Sequence, residues 1–103
     1  MFEVTFFVPL HDNDGAPFTP TEWDRFHRYI SRILGGFTRA QGTAMGQWMD
    51  DDGTHYVDTH ALYVVGISGL TAGARVGRVA TYIKTAFRQE AVTIRYLGVM
   101  EII

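Results

Sequence analysis

The residues best suited to chemistry in this sequence are His55, Asp58 and His60, which lie close together in a strand-like segment. Side chains two positions apart on a strand share a face, so Asp58 and His60 should lie side by side. A carboxylate beside an imidazole can orient the ring and favour its action as a general base. The sequence therefore predicts His60 as a base or hydrogen-bond donor that Asp58 orients. The alternative is an exposed cross-strand pair with no catalytic role.

A small-molecule site would need apolar walls beside this pair. We expect Trp48 and Tyr63 to supply them, because they flank the same predicted hairpin, and we expect His55 to contact the ligand. The alternative for Trp48 is that it belongs to the core or its rim.

The sequence predicts neither a metal nor a cofactor. Asp58 and His60 offer two ligands, but the spacing places no third one. The acidic segments 12–15 and 50–52 lack the ligand order of a calcium loop, and the chain contains no cysteine. No strand, glycine loop and helix follow one another as a phosphate cradle requires.

The elements that must position these residues follow from hydrophobic periodicity. Apolar residues alternate in the first segment, and Thr19, Pro20 and Glu22 form a helix start with a capping box. Asp52-Gly53 predicts a hairpin turn, segment 37–43 a loop, and Gly69–Gly73 a break. The patterns predict strands over 2–8, 44–50, 56–67 and 92–103, with a bulge near Gly98, and helices over 19–34 and 76–87.

This order is β-α-β-β-α-β and predicts a ferredoxin-like α+β fold: a four-stranded antiparallel sheet with both helices on one face. The 103 residues should form one domain, residues 1–103. We expect Gly77 to permit close contact between the second helix and the sheet.

The helix-free face of the sheet is predicted to be apolar. Glu3, Thr5 and Phe7 would line it, and Ala61–Ile67 is apolar on both sides. An exposed patch of that size indicates a partner, so we expect a homodimer, or a higher oligomer, formed through this face. The alternative is a monomer whose loops fold over the sheet.

Charge and hydropathy exclude several partner classes. The formal net charge is −2 and no basic run occurs, so we expect no nucleic-acid partner. No apolar stretch is long enough to span a membrane, and the first residues do not resemble a signal peptide. We expect a soluble, cytoplasmic protein, with a removed leader as the alternative.

Several short motifs occur in order along the chain: Phe6-Phe7 before an Asp-Gly loop, Thr21-Glu22-Trp23 with Phe26, Gly36-Phe37-Thr38, Gly46-Gln47-Trp48 followed by Asp52-Gly53, and Phe87–Val92. Together they resemble an uncharacterised family of small bacterial proteins that is known only as a domain of unknown function. That family tends to carry a Glu-Pro-Ser-like segment where this chain has 58–60, so the chain departs from the family pattern at its own polar residues. The resemblance implies no reaction.

The sequence favours a dimerising binding module whose partner is a protein or a small molecule. The alternative is a cofactor-free enzyme of the dimeric α+β-barrel type that acts on a small apolar or aromatic molecule. A buried pocket bounded by Trp48, His60 and Tyr63 would favour the enzyme, and a filled core would favour the binding module. A small mobile-element protein that inhibits a host complex is a third hypothesis.

Overall fold

The computed structural model describes residues 1–99, apart from the side chains of Trp48 and Val99. The residues 100–103 of the predicted last strand lie outside the described part. In chain order the elements are β1 (Phe2–Pro9), α1 (Pro20–Leu34), β2 (Thr38–Arg39), β3 (Ala44–Met49), β4 (His55–Ile67), α2 (Ala72–Ala86) and β5 (Thr93–Val99).

The described strands form one antiparallel five-stranded sheet in the order β2-β4-β1-β5, and β3 also pairs with β4. The prediction of four strands is wrong because part of the expected loop 37–43 is a strand. Thr38 and Arg39 pair with Val64 and Tyr63 of β4. The structure is therefore a small α+β fold, but the ferredoxin-like pattern is not confirmed by it.

Both helices form where apolar periodicity placed them, and only the start of α2 differs. The α1 capping box is present, and Gly35 ends α1 in the left-handed conformation, with φ of 84°. Helix α2 begins at Ala72, inside the predicted break, because the backbone N–H of Ala72 bonds the carbonyl of Gly69 and the chain turns directly into the helix.

One face of the sheet and both helices share a single apolar core. Residues Val4 and Phe6 of β1 lie opposite Val65 and Tyr63 of β4, so their side chains point to the same side. The helices add their buried residues to this cluster: Phe26, Ile30 and Leu34 from α1, and Val76, Val79 and Ile83 from α2.

The predicted bulge near Gly98 is confirmed. Glu3 pairs with Gly98 while Val4 pairs with Tyr96, which leaves Leu97 as the extra residue. Gly98 has a φ of 97°, a conformation that other residues rarely adopt.

The hairpin of β3 and β4 extends past the rest of the sheet. Strand β1 pairs with β4 only from His60 onward, whereas β3 pairs with the earlier residues of β4 as far as His55. We call residues 44–59 the arm. Its turn is closed by Asp50, whose side chain accepts hydrogen bonds from the backbone N–H groups of Asp52 and Thr54.

Candidate functional site on the helix-free face

A cleft of about 830 Å³ lies where the arm joins the helix-free face of the sheet. Strands β1, β4 and β5 form its floor, and β3 and the loop after α2 form its sides. The side chains that bear on its chemistry are Phe7, Tyr56, Asp58, His60, Gln89 and Glu90.

The cleft brings together the two residues that the sequence singled out. Residues Tyr56, Asp58 and His60 share one face of β4, and small residues stand opposite the last two, with Gly46 facing Asp58 and Ala44 facing His60. These small partners leave space above the sheet. His60 is partly buried, and its ring meets Phe7 edge to face, with ring centres 6.1 Å apart.

Phe7 also connects the cleft to the charged end of β5. The guanidinium of Arg95 lies over the Phe7 ring, 5.4 Å from its centre, and Thr93 is the cross-strand partner of Phe7. Sequence reasoning placed Phe7 on this face but did not count it as a site residue. The alternation of β1 already contained that signal.

The loop after α2 carries Gln89 and Glu90 to the cleft, and Arg88 sets its direction. Arg88 adopts a φ of 54°, which is uncommon for a residue with a side chain. Its guanidinium lies 3.2 Å from a carboxylate oxygen of Glu22 and over the ring of Phe18. The backbone N–H of Thr19, together with Arg88, holds the pKa of Glu22 below its ordinary value.

Two predicted site residues lie on the wrong face for this cleft. Tyr63 is 1% exposed and belongs to the core, where its hydroxyl is 2.7 Å from Nε2 of His27. His55 pairs with Met49 on the side of the arm opposite to Asp58 and His60. Both have odd numbers, whereas the cleft residues of β4 have even ones, so strand alternation separates them. The side chain of Trp48 is not described, so its predicted role stays a prediction.

The arrangement suits a polar organic ligand that carries positive charge. Asp58 and Glu90 supply two carboxylates, His60 can donate or accept a proton, and Phe7 and Tyr56 offer aromatic surface. Within residues 1–99, no group of three histidine, aspartate or glutamate side chains could hold a metal ion. No helix in that part is long and apolar enough to cross a membrane.

Solved structures of one enzyme have the same fold. A phage SAM lyase in complex with S-methyl-5′-thioadenosine matches with a TM-score of 0.69 and 16% identity, covering 94% of this chain and 80% of that chain. The apo state of a phage SAM lyase matches with a TM-score of 0.69 and 15% identity, covering 94% and 79%. No family model and no curated protein matches this chain, so the resemblance to a domain of unknown function stays a prediction.

This comparison overturns the hypothesis that ranked first on sequence grounds. A dimerising binding module without enzymatic activity is contradicted, because the structures that share this fold are those of a lyase. The enzyme alternative is better supported. Sequence reasoning ranked it second because the chain carries no catalytic motif of fixed spacing.

Proposed function

We propose that this chain is a cofactor-free lyase that cleaves a sulfonium nucleoside of the S-adenosylmethionine kind in the cleft on its helix-free face. The observation that carries the proposal is the shared fold, over 94% of this chain, with a lyase that binds S-methyl-5′-thioadenosine. The cleft supports it independently, because its volume of about 830 Å³ is that of a site for a ligand of this size.

The side chains of the cleft match the parts of such a substrate. The sulfonium and the amino group are both cationic, and the carboxylates of Asp58 and Glu90 would attract them. The hydroxyl groups of a ribose are hydrogen-bond donors that carboxylates accept. The rings of Phe7 and Tyr56 would pack against the adenine or the sulfonium.

The bond that breaks joins sulfur to the γ-carbon of the amino-acid chain. Sulfur keeps the electron pair and leaves as the neutral thioether S-methyl-5′-thioadenosine, so the site need not protonate the leaving group. The γ-carbon, which has lost its bond to sulfur, forms a new bond in one of two ways. Attack by the substrate's own carboxylate gives a lactone, and loss of a β-proton to a base gives an unsaturated amino acid. In the second route, we assign the base that removes the β-proton to His60, and Asp58 orients the His60 ring.

The test is incubation of the purified protein with S-adenosylmethionine, followed by chromatography and mass spectrometry of both products. We expect S-methyl-5′-thioadenosine to form. An unsaturated product that disappears in His60→Ala supports His60 as the base, whereas a lactone that persists in this variant removes that role. His55→Ala is the matched control because His55 lies on the other face of the same strand.

Binding is tested separately by calorimetry with S-methyl-5′-thioadenosine. We expect Asp58→Asn to weaken binding about tenfold, because a ribose hydroxyl then loses its charge-assisted hydrogen bond to a carboxylate. Asp24→Asn removes a carboxylate from the exposed side of α1 and should leave binding unchanged. A wild type that forms no S-methyl-5′-thioadenosine and does not bind it would contradict the proposal.

We further propose that a second copy covers the helix-free face and that the chain works in the cytoplasm. Phe7, Leu62 and Val64 are only partly buried on this face within one chain, which leaves apolar surface for a partner. We also propose that β2 and β3 are two parts of one edge strand, since both pair with β4. That reading would make the sheet ferredoxin-like.

A further inference from the structure

A groove on the helix layer, opposite the cleft, concentrates arginine and tyrosine side chains. Its two adjoining hollows have volumes of about 500 and 320 Å³, and both are lined by Tyr29 and Tyr82. The two rings stack with their centres 4.3 Å apart. We call this the arginine–tyrosine groove, and its defining residues are Arg25, Arg28, Tyr29, Arg32, Arg78 and Tyr82.

The charges of the chain are segregated around this groove. Six of the nine basic residues lie in the two helices, against two of the eleven acidic ones. One of these acids, Asp24, forms an exposed ion pair with Arg28, a kind of contact that contributes little. The groove is therefore positively charged although the whole chain has a formal charge of −2.

The groove suits carboxylates better than nucleic-acid bases. The Tyr29 ring already has Tyr82 stacked on it and the guanidinium of Arg32 above it, at 5.4 Å from the ring centre. Tyr82 also stacks on Phe26. Base recognition needs a free aromatic face. What the groove presents is guanidinium groups, which bind carboxylates with two parallel hydrogen bonds.

The arm of the same chain has the complementary surface. Its turn is acidic, with Asp50, Asp51 and Asp52 in succession. The side of the arm opposite to the cleft has exposed apolar residues: Met49 is 59% and Val57 61% exposed. A two-stranded hairpin is marginally stable by itself, so an arm of this length needs support from another surface.

We propose that the arginine–tyrosine groove binds the arm of a second copy of this chain. The aspartates of the turn meet Arg25, Arg28 and Arg78, and the exposed side chains of Met49 and Val57 pack over the tyrosine pair. This contact joins two different surfaces, so it builds a ring or an open chain of copies. It is independent of the proposed function, but it holds in place the arm that carries Tyr56 and Asp58 of the cleft.

Sedimentation velocity of the full chain over a range of protein and salt concentrations tests this proposal. We expect self-association that weakens several-fold as salt rises, because the charges lie at the surface. Asp51→Lys and Arg25→Glu should each weaken association about fivefold to tenfold. Asp14→Lys and Lys84→Glu make the same charge changes away from the arm and the groove, and they should have no effect.

The decisive measurement uses an equimolar mixture of the Asp51→Lys and Arg25→Glu variants. Each arm then finds a groove of opposite charge on the other variant, so association should return to the level of the wild type. A mixture that associates no better than its components overturns the proposal. So does a wild type that stays monomeric at about 1 mM, or one that is monomeric yet binds a poly-glutamate peptide in this groove. Phe7→Asp changes the helix-free face of the sheet, which is not part of this contact, so it should leave the result of the mixing experiment unchanged.

Discussion

The partly buried His27 and its buried partner Tyr63 should make the stability of this protein depend on pH near neutrality. The Tyr63 hydroxyl lies 2.7 Å from Nε2 of His27. Burial raises the pKa of Tyr63 above its ordinary value of 10.0, so the hydroxyl keeps its proton and we assign that proton to the bond with His27. That bond requires an unprotonated Nε2. Burial lowers the pKa of His27 below its ordinary value of 6.5; the nearby Asp24 opposes this shift and Arg39 adds to it.

The direction of the pH effect follows from linkage. The unfolded chain binds a proton at His27 more readily than the folded chain does, because the pKa of His27 is lower in the folded state. The stabilisation from His27 is therefore complete above pH 6.5 and is lost as the pH falls from there through the folded-state pKa. His27→Phe removes the titrating group but keeps an aromatic ring against Phe37, whose centre lies 5.0 Å from that of His27.

The substitutions have expected magnitudes. At pH 8, His27→Phe should cost about 1–3 kcal/mol because the buried Tyr63 hydroxyl loses its acceptor. Tyr63→Phe should cost about 1 kcal/mol. The double variant should cost about 1 kcal/mol less than the sum, since it leaves no hydroxyl without an acceptor.

Urea unfolding followed by tryptophan fluorescence at pH 8 and pH 5.5 would measure these effects. We expect the wild type to lose more free energy of unfolding on acidification than His27→Phe does. The same loss in both proteins would show that His27 does not titrate in the way argued. Additive costs in the double variant would show that the two side chains are not coupled.

The remaining predictions concern other surfaces. Gly77→Ala should stabilise the protein by about 0.5–1 kcal/mol in thermal unfolding, because a Cβ there would meet no atom within 4 Å; destabilisation would show that the glycine is needed. Phe7→Asp should convert the proposed sheet-face oligomer to a smaller species in light scattering, and an unchanged mass would exclude that interface. Filter binding should detect no salt-sensitive micromolar affinity for DNA or RNA at physiological ionic strength, and such affinity would refute the prediction that nucleic acid is not a partner.

Local signals in the sequence predicted most elements because each rests on neighbouring residues. The capping box of α1 needs only Thr19 and Glu22, and both of its hydrogen bonds are present. The alternation of β1 likewise placed Phe7 on the helix-free face. Strand β2 was missed because its two residues have no periodicity and depend on pairing with β4.

The role of Gly77 was predicted wrongly for a similar reason. A glycine inside an apolar helical pattern indicates a close approach, but the pattern does not say to which side. In the structure Gly77 is exposed and lines the arginine–tyrosine groove instead of facing the sheet. A glycine lowers the stability of a helix by the same amount whether it faces the sheet or the solvent, so helix propensity alone could not tell which side Gly77 faces.

The candidate site shows more clearly how far sequence reasoning can go. Strand alternation put Asp58 and His60 on one face of β4, and both line the cleft, but Tyr63 was assigned to them by closeness in sequence. The apolar run Ala61–Ile67 conceals the alternation, although counting parity from His60 would have placed Tyr63 on the opposite face. Glu90 reaches the cleft because the chain turns at Arg88, which adopts a left-handed conformation. No local sequence motif predicts that conformation, so the position of Glu90 could not be predicted.

The arm joins the two proposals physically. One of its faces carries Tyr56 and Asp58 toward the cleft, while the other exposes Met49 and Val57. Strand alternation makes this division unavoidable, because a strand that extends beyond the sheet must present both faces to something. A ligand in the cleft would cover one face and the groove of a neighbouring copy would cover the other. Order in the arm then depends on both contacts, so occupancy of the groove should favour ligand binding in the cleft without any contact between them.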